Sequence, residues 1–158
     1  MEVQDHLETI QALVCRVAQE IFAVDLRFVK EIQPVAECTP LPLSAPYIKG
    51  VVPIRERLIP VMDLYRRFGW PPETVEHQRL VVLDSGDTVF AIIVDETKDI
   101  VEMNLDRQNE IPEEVRIPHR FIDGLGYLDG QALPLLNLQE LLGQPSLSAR
   151  LPKKTRDF

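Results

Sequence analysis

The side chains best equipped for chemistry in this chain are few and far apart. Three histidines (His6, His77 and His119) and two cysteines (Cys15 and Cys38) are its whole stock of nitrogen and sulfur metal ligands. None has the close spacing to another that a zinc site uses, so no metal is expected. Ser44 and Ser85 have no neighbour in sequence that would activate a hydroxyl. No Gly-rich phosphate loop, nucleophile elbow or paired-carboxylate motif stands out, so neither catalysis nor a cofactor is expected. The chemistry that remains is recognition. "GVVPIRERLIPVMDL", Gly50 to Leu64, sets two apolar runs around Arg55-Glu56-Arg57. Arginine stacks, and it binds carboxylates with two hydrogen bonds at once, which is why it recurs in binding hot spots. Arg55 and Glu56 are therefore candidate partner-docking residues on a hairpin tip.

What positions that tip is a chain of 158 residues with 45% hydrophobic content, enough for one domain or two small subdomains with a shared core. A formal charge of −8 argues against binding a phosphate backbone, so no nucleic-acid partner is expected. The charge is uneven. Pro46 to Gly69 holds Lys49, Arg55, Arg57, Arg66 and Arg67 against Glu56 and Asp63, whereas Asp84 to Glu114 holds ten acids against Lys98 and Arg107. No apolar run approaches the roughly 20 residues of a membrane helix. The acidic N-terminus does not resemble a signal peptide, so a cytoplasmic location without direct membrane insertion is expected. Cys15, in an apolar stretch, reads as a buried inert thiol.

The chain says the same thing twice. Shifted by 74 residues, "PYIKGVVPIRERLIPVMDLYRRFG" (46–69) lies on "RFIDGLGYLDGQALPLLNLQELLG" (120–143) without a gap. Ile48, Gly50, Pro60, Leu64 and Gly69 meet Ile122, Gly124, Pro134, Leu138 and Gly143. Shifted by 68, "IFAVDLRFVKEI" (21–32) lies on "VFAIIVDETKDI" (89–100), which implies a six-residue insertion in the loop after Ile100. Each unit, about 12–69 and 80–143, reads as five short strands. A helical turn follows, capped by Asp63 or Asn137 and stopped by Gly69 or Gly143. Five strands of this length make a small closed barrel. Two such barrels, each too small to be robust alone, should share an apolar interface. In register, Arg55 meets Asp129 and Glu56 meets Gly130, and Asp-Gly is an ordinary hairpin turn. Either the first unit's turn has another shape or its side chains are kept against a local cost. Trp70 is expected to pack over the seam between the units, and Arg66 and Arg67 to form a solvated face. Residues 1–10 read as a loose leader and 144–158 as a solvated tail.

These blocks resemble the CheW-like family of bacterial chemotaxis adaptors. The resemblance rests on "FAVDLRFVKEI", "TPLPLSAPYIKGVVPIRERLIPVMDL", "VFAIIVDETKDIV" and "FIDGLGYLDGQALPLLNLQELL", and covers about residues 12–143 as one domain. It implies an all-β fold of two intertwined five-stranded SH3-like barrels with short helical turns. It further implies a non-catalytic adaptor that joins chemoreceptor cytoplasmic tips to the regulatory domain of a histidine kinase. Such an adaptor would be recruited to membrane receptor arrays and could assemble into rings. On the family's pattern the partner-facing positions fall on Val29, Glu31, Lys49, Arg55 and Ile100. Glu56 stands where the family has glycine, and Pro53 where it commonly has a polar residue. These departures bear on the partner, and an adaptor of a pilus-motility or other variant array is the alternative they raise.

Overall fold

The computed structural model describes residues 7–143, Asn109 excepted. The first unit supplies β1 (Leu7–Val17), β2 (Glu20–Asp25), β3 (Val29–Pro34), β4 (Ile48–Ile54), β5 (Arg57–Asp63) and the short helix α1 (Leu64–Phe68). The second repeats the series as β6 (Arg79–Asp84), β7 (Val89–Val94), β8 (Glu96–Asp106), β9 (Ile122–Leu128), β10 (Gln131–Leu136) and α2 (Leu138–Leu142). The protein is all-β, as the sequence implies. Its barrels are not its repeats, however. One closed barrel runs β1-β2-β10-β9-β8, and the other five-stranded sheet runs β3-β6-β7-β5-β4. Each thus joins two strands of one unit to three of the other, and below they are barrel A and barrel B.

The residues that match between units do the same work in both barrels. Pro60 and Pro134 have no N–H to donate. The parallel pairing that stitches the units together begins one residue later, at Val61↔Ala91 in barrel B and Leu135↔Ala23 in barrel A. The matched glycines sit at the closures. In barrel A, Asp106 of β8 pairs with Leu125 of β9. In barrel B the corresponding bridge is Thr39↔Val51, whose two backbone hydrogen bonds are 2.9 and 2.8 Å long. A Cβ on Gly50 would lie 2.4 Å from the Thr39 carbonyl oxygen, and one on Gly124 2.8 Å from the Leu105 side chain. Both helices are capped as expected. Asp63 accepts from the Tyr65 and Arg66 amides, Asn137 accepts from Glu140, and Gly69 and Gly143 end the helices in left-handed conformations.

Burial divides into three clusters. Ile10, Ala12, Val14, Ala23, Met103, Leu105, Leu133 and Leu135 fill barrel A. Val52, Ile54, Ile59, Val61, Leu80, Val82, Ala91 and Ile93 fill barrel B. The largest cluster lies between them and draws on both, with Leu13, Cys15, Phe22, Leu64, Phe68, Phe90, Phe121 and Leu141 among its members. Burial pushes the Cys15 thiol up to about 12, so it is inert at neutral pH. Trp70 packs against Phe68 and Tyr65 on this seam, and Phe68 in turn meets Phe121.

Three readings need correction. Leu7–Ile10 is not a leader but the start of β1, paired with Met103–Asp106; residues 1–6 and 144–158 lie outside the described residues. The extra residues after Ile100 do not all lie in a loop, because they lengthen β8 to Asp106 and so supply that pairing. Arg67 is not part of a solvated face. Its guanidinium lies 4.2 Å from the Tyr47 ring centre and 4.6 Å from that of Phe121, which are matched residues of the two units. It donates from Nε to the Leu141 carbonyl at 2.8 Å and from Nη2 to that of Glu140 at 3.2 Å, at the end of α2. A cation there satisfies carbonyls the helix leaves open. Arg66 remains exposed, bonded to Pro46 O and paired with Asp63.

Two outcomes are expected in urea denaturation. Arg67→Ala should cost about 2 kcal/mol, since it removes charged hydrogen bonds and a desolvated cation–π contact, while Arg66→Ala should change stability by less than about 0.5 kcal/mol. Gly50→Ala, which drives a methyl into a backbone carbonyl, should cost about 3 kcal/mol. Gly69→Ala, whose Cβ would meet open space, should cost only the roughly 1 kcal/mol of its left-handed backbone.

Candidate partner-docking site

The hairpin tip between β4 and β5 is a two-residue turn flanked by the pair Ile54↔Arg57. Arg55 has φ 51° and Glu56 φ 68°. In the twin hairpin Asp129 has φ 51° and Gly130 φ 81°, between Leu128 and Gln131. Positive φ at both central residues is the turn that matches strand twist, and it favours Asn-Gly or Asp-Gly. The turn has therefore kept its shape, and Arg55 and Glu56 are held in it at a backbone cost that glycine would spare.

What this geometry achieves is a bridge across barrel B. Arg55 Nε donates to Glu31 Oε2 at 3.0 Å, linking the tip to β3. Gln33 Nε2 donates to the other oxygen, Oε1, at 2.9 Å. The hydrogen bond from Arg55, then that from Gln33, holds the Glu31 carboxyl below its ordinary pKa. Neighbouring positions on β3 and β4 thereby become one surface, although β3 and β4 are the two ends of the sheet. The Arg55 side chain is 79% exposed while that of Glu31 is 22% exposed, so the guanidinium sits outermost with its free edge toward solvent. An exposed ion pair contributes little to stability. Its use here is to fix the direction of an arginine.

Around the pair stand apolar groups that the sequence reading left out. Ile32 on β3 is 42% exposed, and Leu58 on β5 is 46% exposed and opposite exposed Pro53. Strand alternation could have found Leu58, since the inward set is Ile59 and Val61. Ile32 lies on the exposed face of β3 with Lys30 and Pro34, which the sequence does not tell from the half-buried face of Val29, Glu31 and Gln33 because both mix apolar and polar residues.

The other site residues divide. Val29 is half-buried and packs on the seam cluster. Lys49 is exposed on β4 and, among the described residues, forms no ion pair; Glu31 takes Arg55 instead. Ile100 is 56% exposed but belongs to β8 of barrel A, paired with Leu13, away from the tip's own barrel. Glu56 is exposed and makes no ion pair among the described residues. No group of three His, Cys, Asp or Glu side chains suited to a metal occurs among the described residues.

Comparison with known proteins gives a consistent answer. The family model described as a CheW-like domain matches residues 11–146. The chemotaxis protein CheW of Treponema pallidum is 28% identical over 137 residues, 82% of this chain and 75% of that protein. That of Klebsiella aerogenes is 26% identical, covering 86% of this chain and 83% of its own. Among solved structures, the scaffolding protein TtCheW from Thermoanaerobacter tengcongensis superposes with a TM-score of 0.77. At 20% identity it covers 87% of this chain and 95% of its own, a likeness of fold.

Glu56→Gly should stabilise the protein by about 1 kcal/mol in urea denaturation, because it relieves a left-handed residue without removing a contact.

Proposed function

The chain belongs to the CheW-like family, and we propose that it is a non-catalytic adaptor that couples chemoreceptor cytoplasmic tips to a histidine kinase. Relatives named as chemotaxis proteins and a structural neighbour named as a scaffolding protein support the reading. The observation that carries it is the Arg55–Glu31 pair. A protein that spends backbone strain to hold an arginine outward, with Ile32, Pro53 and Leu58 around it, has the makings of a docking surface: apolar contact for affinity and an oriented charge for register.

In this reading barrel B carries the contact with the kinase's regulatory domain, of like fold, through the tip and its apolar surround. The receptor's helical hairpin lies against Val29 and Ile100, one from each barrel, by helix-in-groove recognition. The adaptor works in the cytoplasm and reaches the membrane through these partners. No helix among the described residues is long and apolar enough to cross a membrane. Glu56 and Pro53 favour a second choice of partners, those of a variant or pilus-motility array.

Arg55→Glu tests the proposal by isothermal titration against the kinase regulatory domain and a receptor-tip fragment. Binding to at least one partner should weaken tenfold or more, with the melting temperature within about 2 °C of the parent. Unchanged affinity for both would remove the tip from the interface.

A further inference from the structure

The charge of the chain is concentrated in a way the docking tip does not explain. Residues 150–158, "RLPKKTRDF", carry Arg150, Lys153, Lys154 and Arg156 against Asp157, formally +3. The whole chain is −8, so the remainder is −11. A cationic segment is therefore tethered to a strongly acidic body.

That body offers a pocket of matching chemistry. On barrel A, beside the β9–β10 hairpin, lies an open cavity of about 380 Å³ with Tyr127, Glu20, Glu114, Pro112 and Ala132 in its walls. Tyr127 is 60% exposed, an aromatic face left to water in a protein with only three tyrosines. Glu114 is exposed and makes no ion pair among the described residues. Glu20 gives one oxygen, Oε1, to the Arg116 amide at 3.2 Å, which leaves the other available. Two carboxylates beside an uncovered ring are what a Lys or Arg side chain needs for an ion pair and a cation–π contact together. The matched hairpin of barrel B has Pro53 in place of Tyr127, so the duplication alone does not account for the ring.

The tether reaches. Gln131 in the pocket wall begins β10, whose six residues lead through Asn137 into the five-residue α2, so at about 3.4 Å per strand residue and about 1.5 Å per helical residue the end of α2 lies within about 30 Å of the pocket. Ten residues of extended chain span about 33 Å.

We propose that the chain's own basic segment, residues 150–156, docks in the Tyr127 pocket of barrel A and holds a cation over the ring between Glu20 and Glu114. The proposal does not depend on the adaptor reading. Amide NMR spectra of the full chain test it, comparing wild type, Lys153→Glu/Lys154→Glu and Tyr127→Ser. With docking, the Glu20, Glu114 and Tyr127 peaks differ between wild type and the Lys variant, and 0.5 M NaCl moves the wild-type peaks toward the variant's. Tyr127→Ser, at an exposed position, shifts the tail peaks in turn. Coincident pocket peaks in wild type and the Lys variant would overturn the proposal. So would shifts that grow with protein concentration, since a second copy would then supply the cation.

Discussion

The structure depends on one apolar seam. Among the described residues, barrel A and barrel B each enclose eight buried hydrophobic side chains, a small interior for a five-stranded sheet, while the cluster between them holds twenty-two. Neither interior offsets the chain entropy of its own strands with much to spare. The seam removes the difficulty by burying both faces of the same strands. Along β1, Ile10, Ala12 and Val14 face the barrel A interior while Leu13, Cys15 and Val17 face the seam. In β6, Leu80 and Val82 face inward and Val81 and Leu83 face the seam. Strand exchange follows the same logic. Because each barrel borrows strands from both units, separating the barrels would also tear β10 from β2 and β5 from β7. The result is a body without a hinge between its barrels, which is what the proposed coupling role requires if displacement at one face is to be felt at the other.

Against that rigid background the tip between β4 and β5 stands out as a place where stability has been given up. Its twin shows the relaxed solution, Asp129-Gly130, on the same backbone. Duplication thus supplies an internal control. The departure at Arg55 and Glu56 cannot be assigned to a different turn, because the dihedral angles agree, nor to packing, because both side chains point to water. What Arg55 gains is Glu31, and Glu31 gains Gln33. That small network adds a side-chain tie between β3 and the β4–β5 tip, beside the Thr39↔Val51 backbone bridge that corresponds to the Asp106↔Leu125 closure of barrel A.

Much of this was legible in the residues, and what was not has physical causes. The repeat located both hairpins, both caps and both closure glycines, because those positions depend on local backbone geometry: Gly50 and Gly124 must admit a neighbour, and Asp63 and Asn137 must accept an amide. Strand partners were not legible. Alternation tells which face of β2 is buried but not that β10 lies beside it in parallel, since a nonlocal pairing leaves no local trace. The start of β1 at Leu7 was missed for the same reason: "LETIQ" is ordinary until the lengthened β8 is present to pair with it. Arg67 was misread as solvated because the sequence shows a charge on a helical turn but not the carbonyl oxygens of α2 that it meets. In the site, Arg55 was found by its oddity. Ile32 was not, because both faces of β3 mix apolar and polar residues, so alternation does not say which one is uncovered.

The two halves have diverged in a definite direction. Positions that face a barrel interior or the seam kept their character: Val61 and Leu135, Ala91 and Ala23, Tyr47 and Phe121. Several positions that face water changed sign. Arg55 corresponds to Asp129, Lys49 to Asp123 and Arg66 to Glu140, while Glu31 kept its sign in Asp99 and exposed Ile32 its counterpart in exposed Ile100. An interior must be apolar whatever the protein does, so it resists change in both copies. A surface is constrained only by what touches it. Opposite charge on corresponding faces, each still carrying an exposed isoleucine, is the pattern expected when one scaffold is duplicated and its two outer faces are then fitted to different neighbours.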